Sequence, residues 1–153
     1  MTLRDEIQQT KPFTSLQEEA LLNIVRTAAT MTDEMEELLK QRGITNTQYN
    51  VLRILRGAEP EGLCRNELRD RMLTRMPDVT RLLDRMEEAG LVARSRDNED
   101  RRLVSTRITP AGRTLVDELD APIQAYHTTR LAHVSDEQLQ TLIDLLTLTR
   151  DRG

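Results

Sequence analysis

Between Pro77 and Gly112 the periodicity of the chain changes within a short span, and this restricts the fold more than any other feature. Val79, Leu82, Leu83 and Met86 recur at spacings that put them on one side of a helix with about 3.6 residues per turn. Pro77 suits the first helical position, where its missing N–H would be unpaired in any case, and Gly90 suits the left-handed residue just past the end. After Gly90 the pattern shortens to two runs, 91–96 and 103–108, whose apolar members are compatible with strands. The residues between them, 97–102, are all polar or charged. The span is therefore predicted to be a helix followed by a two-stranded ribbon with a solvated tip.

The polar side of that helix carries Pro77, Arg81, Asp84 and Glu88, flanked by Thr80 and Arg85. The ribbon holds Arg94, Arg96, Arg101, Arg102, Arg107 and Arg113 against Asp97, Glu99 and Asp100. A helix with an arginine-bearing face, followed at once by an arginine-studded ribbon, has the layout of a winged helix: the helix enters the major groove and the tip reaches the adjacent minor groove. The groove-facing set would be Arg75, Pro77, Asp78, Thr80, Arg81 and Arg85. Arginine can fork two bonds to guanine O6 and N7, and threonine can meet a thymine methyl or a phosphate. Asp78 suits the dipole at the helix N-terminus, and Asp84 would orient an arginine. The competing reading is a solvated face on which Arg81 and Arg85 merely pair with Asp84 and Glu88. Arg65, Arg69 and Arg71, on the preceding helix, are placed for phosphate contact, since the first helix of such a pair crosses the backbone. Arg96, Asp100, Arg101 and Arg102 complete the candidate set on the wing, where the arginines would meet the negative potential of a narrow A·T minor groove. The alternative there is an ordinary charged hairpin.

The run VTRLLDRMEEAGLVARSRDNEDRRLVSTRITPAG resembles the signature of the MarR (multiple antibiotic resistance regulator) family of bacterial transcription factors. Its fixed points stand here as Thr80, Leu83, Glu87, Gly90, Leu91, Val92, Asp100, Arg101, Arg102, Thr109 and Gly112. The match ties a helix, its stop, a wing and the next helix start at consistent offsets, which a lone helix-turn-helix pattern would not. The resemblance implies that Asp100 braces Arg102, and that most such proteins repress. It also implies that a small, often anionic or phenolic, ligand binds in a crevice between dimerisation helices and the winged part. Crevice candidates are Met31, Met35, Tyr49, Arg53 and Arg113.

The rest of the chain fits a mainly α fold with a small β-wing. Ser15 and Glu18 form a capping box that opens a helix of roughly 25 residues reaching Gly43, long enough to serve both the domain and a partner. Residues 1–14 are a polar lead-in. Thr45 and Gln48 form a second box, 58–62 a turn, Leu63 and Cys64 a short third strand, and Arg65 to about Met72 a helix with Leu68 and Met72 inward. Thr109 and Pro110 start another helix, which Pro122 should kink or divide. Ser135 and Gln138 cap a last helix whose dense stripe, Leu139, Leu142, Ile143, Leu145, Leu146 and Leu148, has little chain left to cover it and predicts burial against a second subunit. We expect one MarR-type domain over 1–153, with dimerisation helices at 15–42 and 110–150 and the winged helix-turn-helix at 45–109.

Composition bounds the alternatives. The 153 residues include no Trp, one Phe and two Tyr, so the apolar volume is aliphatic and thioether, as in helices packed on helices. The net charge of −4 would count against a nucleic-acid binder, but its distribution does not. From Pro60 to Arg113 there are twelve arginines and ten acidic residues, and the deficit lies elsewhere. No apolar run is long enough to span a membrane, and the first residues lack the core of a secretory signal, so a cytoplasmic protein is expected. Cys64 is alone, and the cysteine of the family's peroxide-sensing branch sits in the N-terminal helix, which has none here; it reads as a small apolar residue. His127, His133 and Asp136 lack a further ligand for a metal, so no cofactor is expected. No phosphate loop, nucleophile triad or catalytic carboxylate pair emerges, which leaves an enzyme the poorest reading. The expectation is a homodimeric, ligand-responsive repressor on a pseudo-palindromic operator of double-stranded DNA. Open beside it stands a winged-helix dimerisation or adaptor protein without specific DNA binding.

Overall fold

The computed structural model describes residues 1–96 and 103–151. In chain order the elements are α1 (Leu3–Glu6), α2 (Leu16–Lys40), α3 (Asn46–Arg56), β1 (Leu63–Cys64), α4 (Arg65–Arg71), α5 (Val79–Glu88), β2 (Val92–Arg96), β3 (Val104–Ile108), α6 (Pro110–Arg130) and α7 (Asp136–Arg150). The strands form an antiparallel sheet in the order β1-β3-β2, with Leu63 opposite Thr106 and Val92 opposite Ile108. The fold is thus mainly α with a small wing. Among the described residues no helix is long and apolar enough to cross a membrane.

Local chemistry sets most of the boundaries. Thr45 and Ser135 each accept a bond from the backbone N–H three residues on, and Gln48 and Gln138 reach back to close the box. Thr109 caps α6 with Pro110 in its first turn. Two local readings need correcting, and of the two outcomes expected at Pro122, division does not occur. Ser15 caps α2, but Glu18 turns to Thr14 instead, accepting from its N–H at 2.6 Å and its hydroxyl at 2.7 Å, so the box stays open and the cap extends one residue further. Pro77 lies outside α5, whose N-cap is Asp78; its carboxylate accepts the Arg81 N–H at 3.0 Å, whereas a start at Pro77 would make Met76, which has no such acceptor, the N-cap. Pro122 does not divide α6, which runs unbroken through it. The proline sits on the exposed side while Leu119 and Ile123 hold the inner face in the core, so packing outweighs one lost backbone bond.

One hydrophobic core joins the C-terminal end of α2 (Met35, Leu39) to α3 (Tyr49, Val51, Leu52, Leu55), Leu68 of α4, the inner face of α5, Val92, Ile108 and the inner face of α6 (Val116, Leu119, Ile123). Arg56 ties α3 to α6 by a fork onto Asp120 at 2.8 and 3.0 Å and a third bond to Asp117 at 2.6 Å. These contacts make α3, α4, α5, the sheet and the first four turns of α6 one body. Two stretches stay outside it. α7 has no buried residue, and Leu16, Leu21, Leu22 and Val25 of α2 are exposed.

Candidate nucleic-acid interface

α5 is strongly two-sided. Val79, Leu82, Leu83 and Met86 are buried, and Thr80, Arg81, Asp84, Arg85 and Glu88 face solvent. The surface pairing weighed from sequence, Arg81 and Arg85 with Asp84 and Glu88, does not form. Arg81 lies 3.9 Å from Asp78, a loose exposed contact, and among the described residues Arg75, Arg85 and Arg96 make no ion pair. Asp84 does orient an arginine, and it is Arg94 from the ribbon, at 2.6 Å.

Arg94 ties the wing to α5. Its side chain donates to Glu87 at 2.6 and 3.0 Å, and its backbone N–H donates to the other oxygen of the same carboxylate at 3.0 Å. The guanidinium holds the Glu87 carboxyl below the ordinary carboxylate range, and its own pKa is raised in return. Arg107 donates to the Glu61 carbonyl at 3.0 Å, stitching β3 to the turn before β1. Two of the arginines that make the ribbon basic therefore serve the scaffold. The hinge below them is equally tied. The Thr109 hydroxyl donates to the Gly90 carbonyl at 2.6 Å and accepts the Gly112 N–H at 3.1 Å. Gly90 takes φ +73°, the left-handed stop expected of it.

On α4, Arg65 donates to the Thr80 hydroxyl at 3.3 Å, so the two helices of the pair share one polar surface, and Arg69 lies 3.5 Å from Asp70. Arg65, Arg69, Arg75, Pro77, Asp78, Thr80, Arg81, Arg85 and Arg96 are all exposed and lie on α4, α5, their connecting turn and the β2 end of the ribbon. Asp100, Arg101 and Arg102 fall outside the described residues.

Between α2, α3 and α6 lies a cavity of about 320 Å³. Met31, Met35, Tyr49 and Arg53 line it, as do Asn50, Tyr126, His127 and Arg130. Arg113 does not belong to this lining: it pairs with Glu59, beside the turn that follows α3. Its place near the start of α6 suggested proximity in sequence, but that end of the helix packs toward the wing rather than the cavity. The Tyr126 hydroxyl donates to Glu34 at 2.8 Å, and Arg130 donates to the same oxygen at 2.8 Å. These α6 residues had no local signal to mark them, because their partner is on α2 and only the fold brings it near. His127 lies on the cavity wall, and among the described residues no group of His, Cys, Asp or Glu could hold a metal ion. Cys64 is half-buried where β1 runs into α4.

A helix pair whose second member turns an arginine-bearing face to solvent, braced by a ribbon at its side, defines a winged-helix DNA-binding protein. The sequence model of the MarR family matches residues 44–104. A crystal structure of a MarR transcription factor from Planctomyces limnophilus is 39% identical, covers 90% of this chain and 99% of that one, and superposes with a TM-score of 0.68. The S. aureus MepR–DNA complex is 26% identical over 90% of this chain and 97% of that chain, with a TM-score of 0.76. The homoprotocatechuate degradative operon repressor of Escherichia coli is 29% identical over 71% of this chain and 72% of that protein. The chain belongs to the MarR family and is a DNA-binding transcription regulator. The family and these relatives are regulators, not enzymes.

Proposed function

We propose that the protein is a homodimeric, ligand-responsive repressor that binds a pseudo-palindromic operator. The observation that carries DNA reading is the outward face of α5, where Arg81, held only by a loose 3.9 Å contact to Asp78, and Arg85 lie exposed beside Thr80. Arg75, Pro77, Asp78, Thr80, Arg81 and Arg85 would meet the major groove, Arg65 and Arg69 the phosphates, and Arg96 with Asp100, Arg101 and Arg102 the minor groove. In this reading 45–109 is the DNA-binding part and 15–42 with 110–150 are the dimerisation helices, supported by the uncovered apolar residues of α2 and α7. Half-sites then lie about 34 to 36 Å apart, one helical turn of the duplex. Repression is supported by the Escherichia coli relative, which is an operon repressor. Effector response is supported by the cavity, whose wall carries Met31, Met35, Tyr49 and Arg53.

The test is fluorescence anisotropy on a duplex selected by the protein from a random library, at physiological salt. Wild-type protein should prefer the selected duplex to a scrambled one. Arg81→Ala should lose about 1–3 kcal/mol on the selected duplex, and little on the scrambled one. Equal affinity of wild-type protein for both duplexes would overturn the reading.

A further inference from the structure

Three exposed carboxylates, Asp78, Asp84 and Glu88, accompany the arginines on the outward side of α5. Beside DNA each is repelled by the phosphates unless something offsets the charge. Asp84 is committed to Arg94 at 2.6 Å, and Glu88 is the last residue of the helix. Asp78 stands at the other end, and it is the N-terminal residues of a reading helix that meet base edges.

Asp78 uses only half of its carboxylate. Oδ1 accepts the Arg81 N–H at 3.0 Å and so caps α5. Oδ2 has one ionic neighbour among the described residues, Arg81 Nε at 3.9 Å, which is beyond hydrogen-bond reach, and the two side chains are 59% and 74% exposed. Capping does not require the charge, since serine and asparagine cap as well as aspartate. Neither of them offers a spare anionic oxygen.

The spacing of this loose pair matches the edge of one base pair. In the major groove a C·G pair presents the cytosine N4 amino donor beside the guanine O6 and N7 acceptors. N4 and O6 are joined by a base-pairing hydrogen bond and lie about 3 Å apart. A carboxylate oxygen and a guanidinium held 3.9 Å apart can therefore take the two halves of that edge together. A thymine in place of the cytosine would set its O4, an acceptor, against the carboxylate.

We infer that Asp78 and Arg81 read a single C·G pair in each half-site, Asp78 Oδ2 accepting from cytosine N4 and Arg81 forking onto guanine O6 and N7. Asp78 is then a specificity-determining residue as well as a cap. This rests on the DNA-reading face proposed above.

The test repeats selection from a random library with wild-type protein and with Asp78→Ser, which keeps a capping oxygen. The wild-type pool should hold an invariant C·G pair in each half-site that the variant pool allows to vary. On the wild-type duplex Asp78→Ser should bind about tenfold more weakly. On a scrambled duplex it should bind no more weakly than wild type, because a charge repelled by phosphates has gone; a lost cap alone would weaken both. A second duplex places 2-pyrimidinone, which lacks the 4-amino group of cytosine, at the invariant pair. It should weaken wild type about fivefold and change Asp78→Ser by less than about twofold. Two pools with the same invariant pairs overturn the inference. So does an analogue felt equally by both proteins, or by neither, which leaves Asp78 a cap and leaves DNA reading standing. A wild-type pool that stays random removes the reading face itself, and this inference with it.

Discussion

Arg94 and Arg81 carry the same charge on neighbouring surfaces, and their partners separate their roles. Arg94 is fixed by two carboxylates at 2.6 Å, and Arg81 has only Asp78 at 3.9 Å. An arginine already committed to a pair of carboxylates has little left for a nucleic acid, whereas a loosely held one exchanges partners at small cost. The Glu87 carboxyl, held down by Arg94, also makes the wing attachment pH-dependent. Its folded-state pKa lies below the unfolded value, so its contribution is complete above the ordinary carboxylate range and is lost as pH falls through the lower folded value. Glu87→Gln should therefore unfold at lower urea concentration than wild type at pH 7, and the gap should close towards about pH 3. Equal midpoints at pH 7 would mean that the pair contributes nothing.

At the scale of elements, the junction of α5, the wing and α6 is closely fitted. A Cβ added at Gly112 would collide with the Leu91 carbonyl and crowd the Ile108 side chain, so α6 can start here only because that residue has no side chain. Gly112→Ala should cost about 1–3 kcal/mol of stability, measured by urea unfolding; a neutral result would mean that α6 can slide on the wing. Most of the family-signature residues thus build scaffold: Glu87 grips Arg94, Gly90 stops α5, and Thr109 and Gly112 seat α6. The stop at Gly90 and the caps at Thr45, Thr109 and Ser135 were legible in the sequence because each acts within a turn or two. Pairings across the fold were not. Tyr126 and Glu34 are 92 residues apart, and Arg94 was counted among free cations until packing brought Asp84 and Glu87 against it. The same limit explains Arg113, whose choice of Glu59 over the cavity depends on how α6 leans on the turn after α3. The unbroken helix through Pro122 belongs here too, since local propensity yields when Leu119 and Ile123 are both buried.

For the whole molecule, what needs explaining is apolar surface that the chain does not cover. Leu142, Ile143, Leu145 and Leu148 of α7 are 45–69% exposed, and Leu16 and Val25 of α2 are 81% and 63% exposed. Apolar surface this rich on two helices is a cost to a monomer in water and a driving force for association. A stable protein–protein interface takes about 20–30 residues from each side, which α7 with the first half of α2 can supply. Leu142 and Leu145 share one side of α7, so the double substitution Leu142→Glu/Leu145→Glu sets charge into the proposed interface without touching the core, to which α7 adds no buried residue. Wild-type protein should sediment as a dimer and the double variant as a folded monomer, with the α5 and wing surface intact. Because a dimer holds its two reading helices over two half-sites together, the monomer should bind the selected duplex at least about a hundredfold more weakly, yet match wild type on a single half-site. A double variant that still sediments as a dimer would move the interface elsewhere. A monomer that kept full affinity for the whole operator would remove the need for paired reading helices.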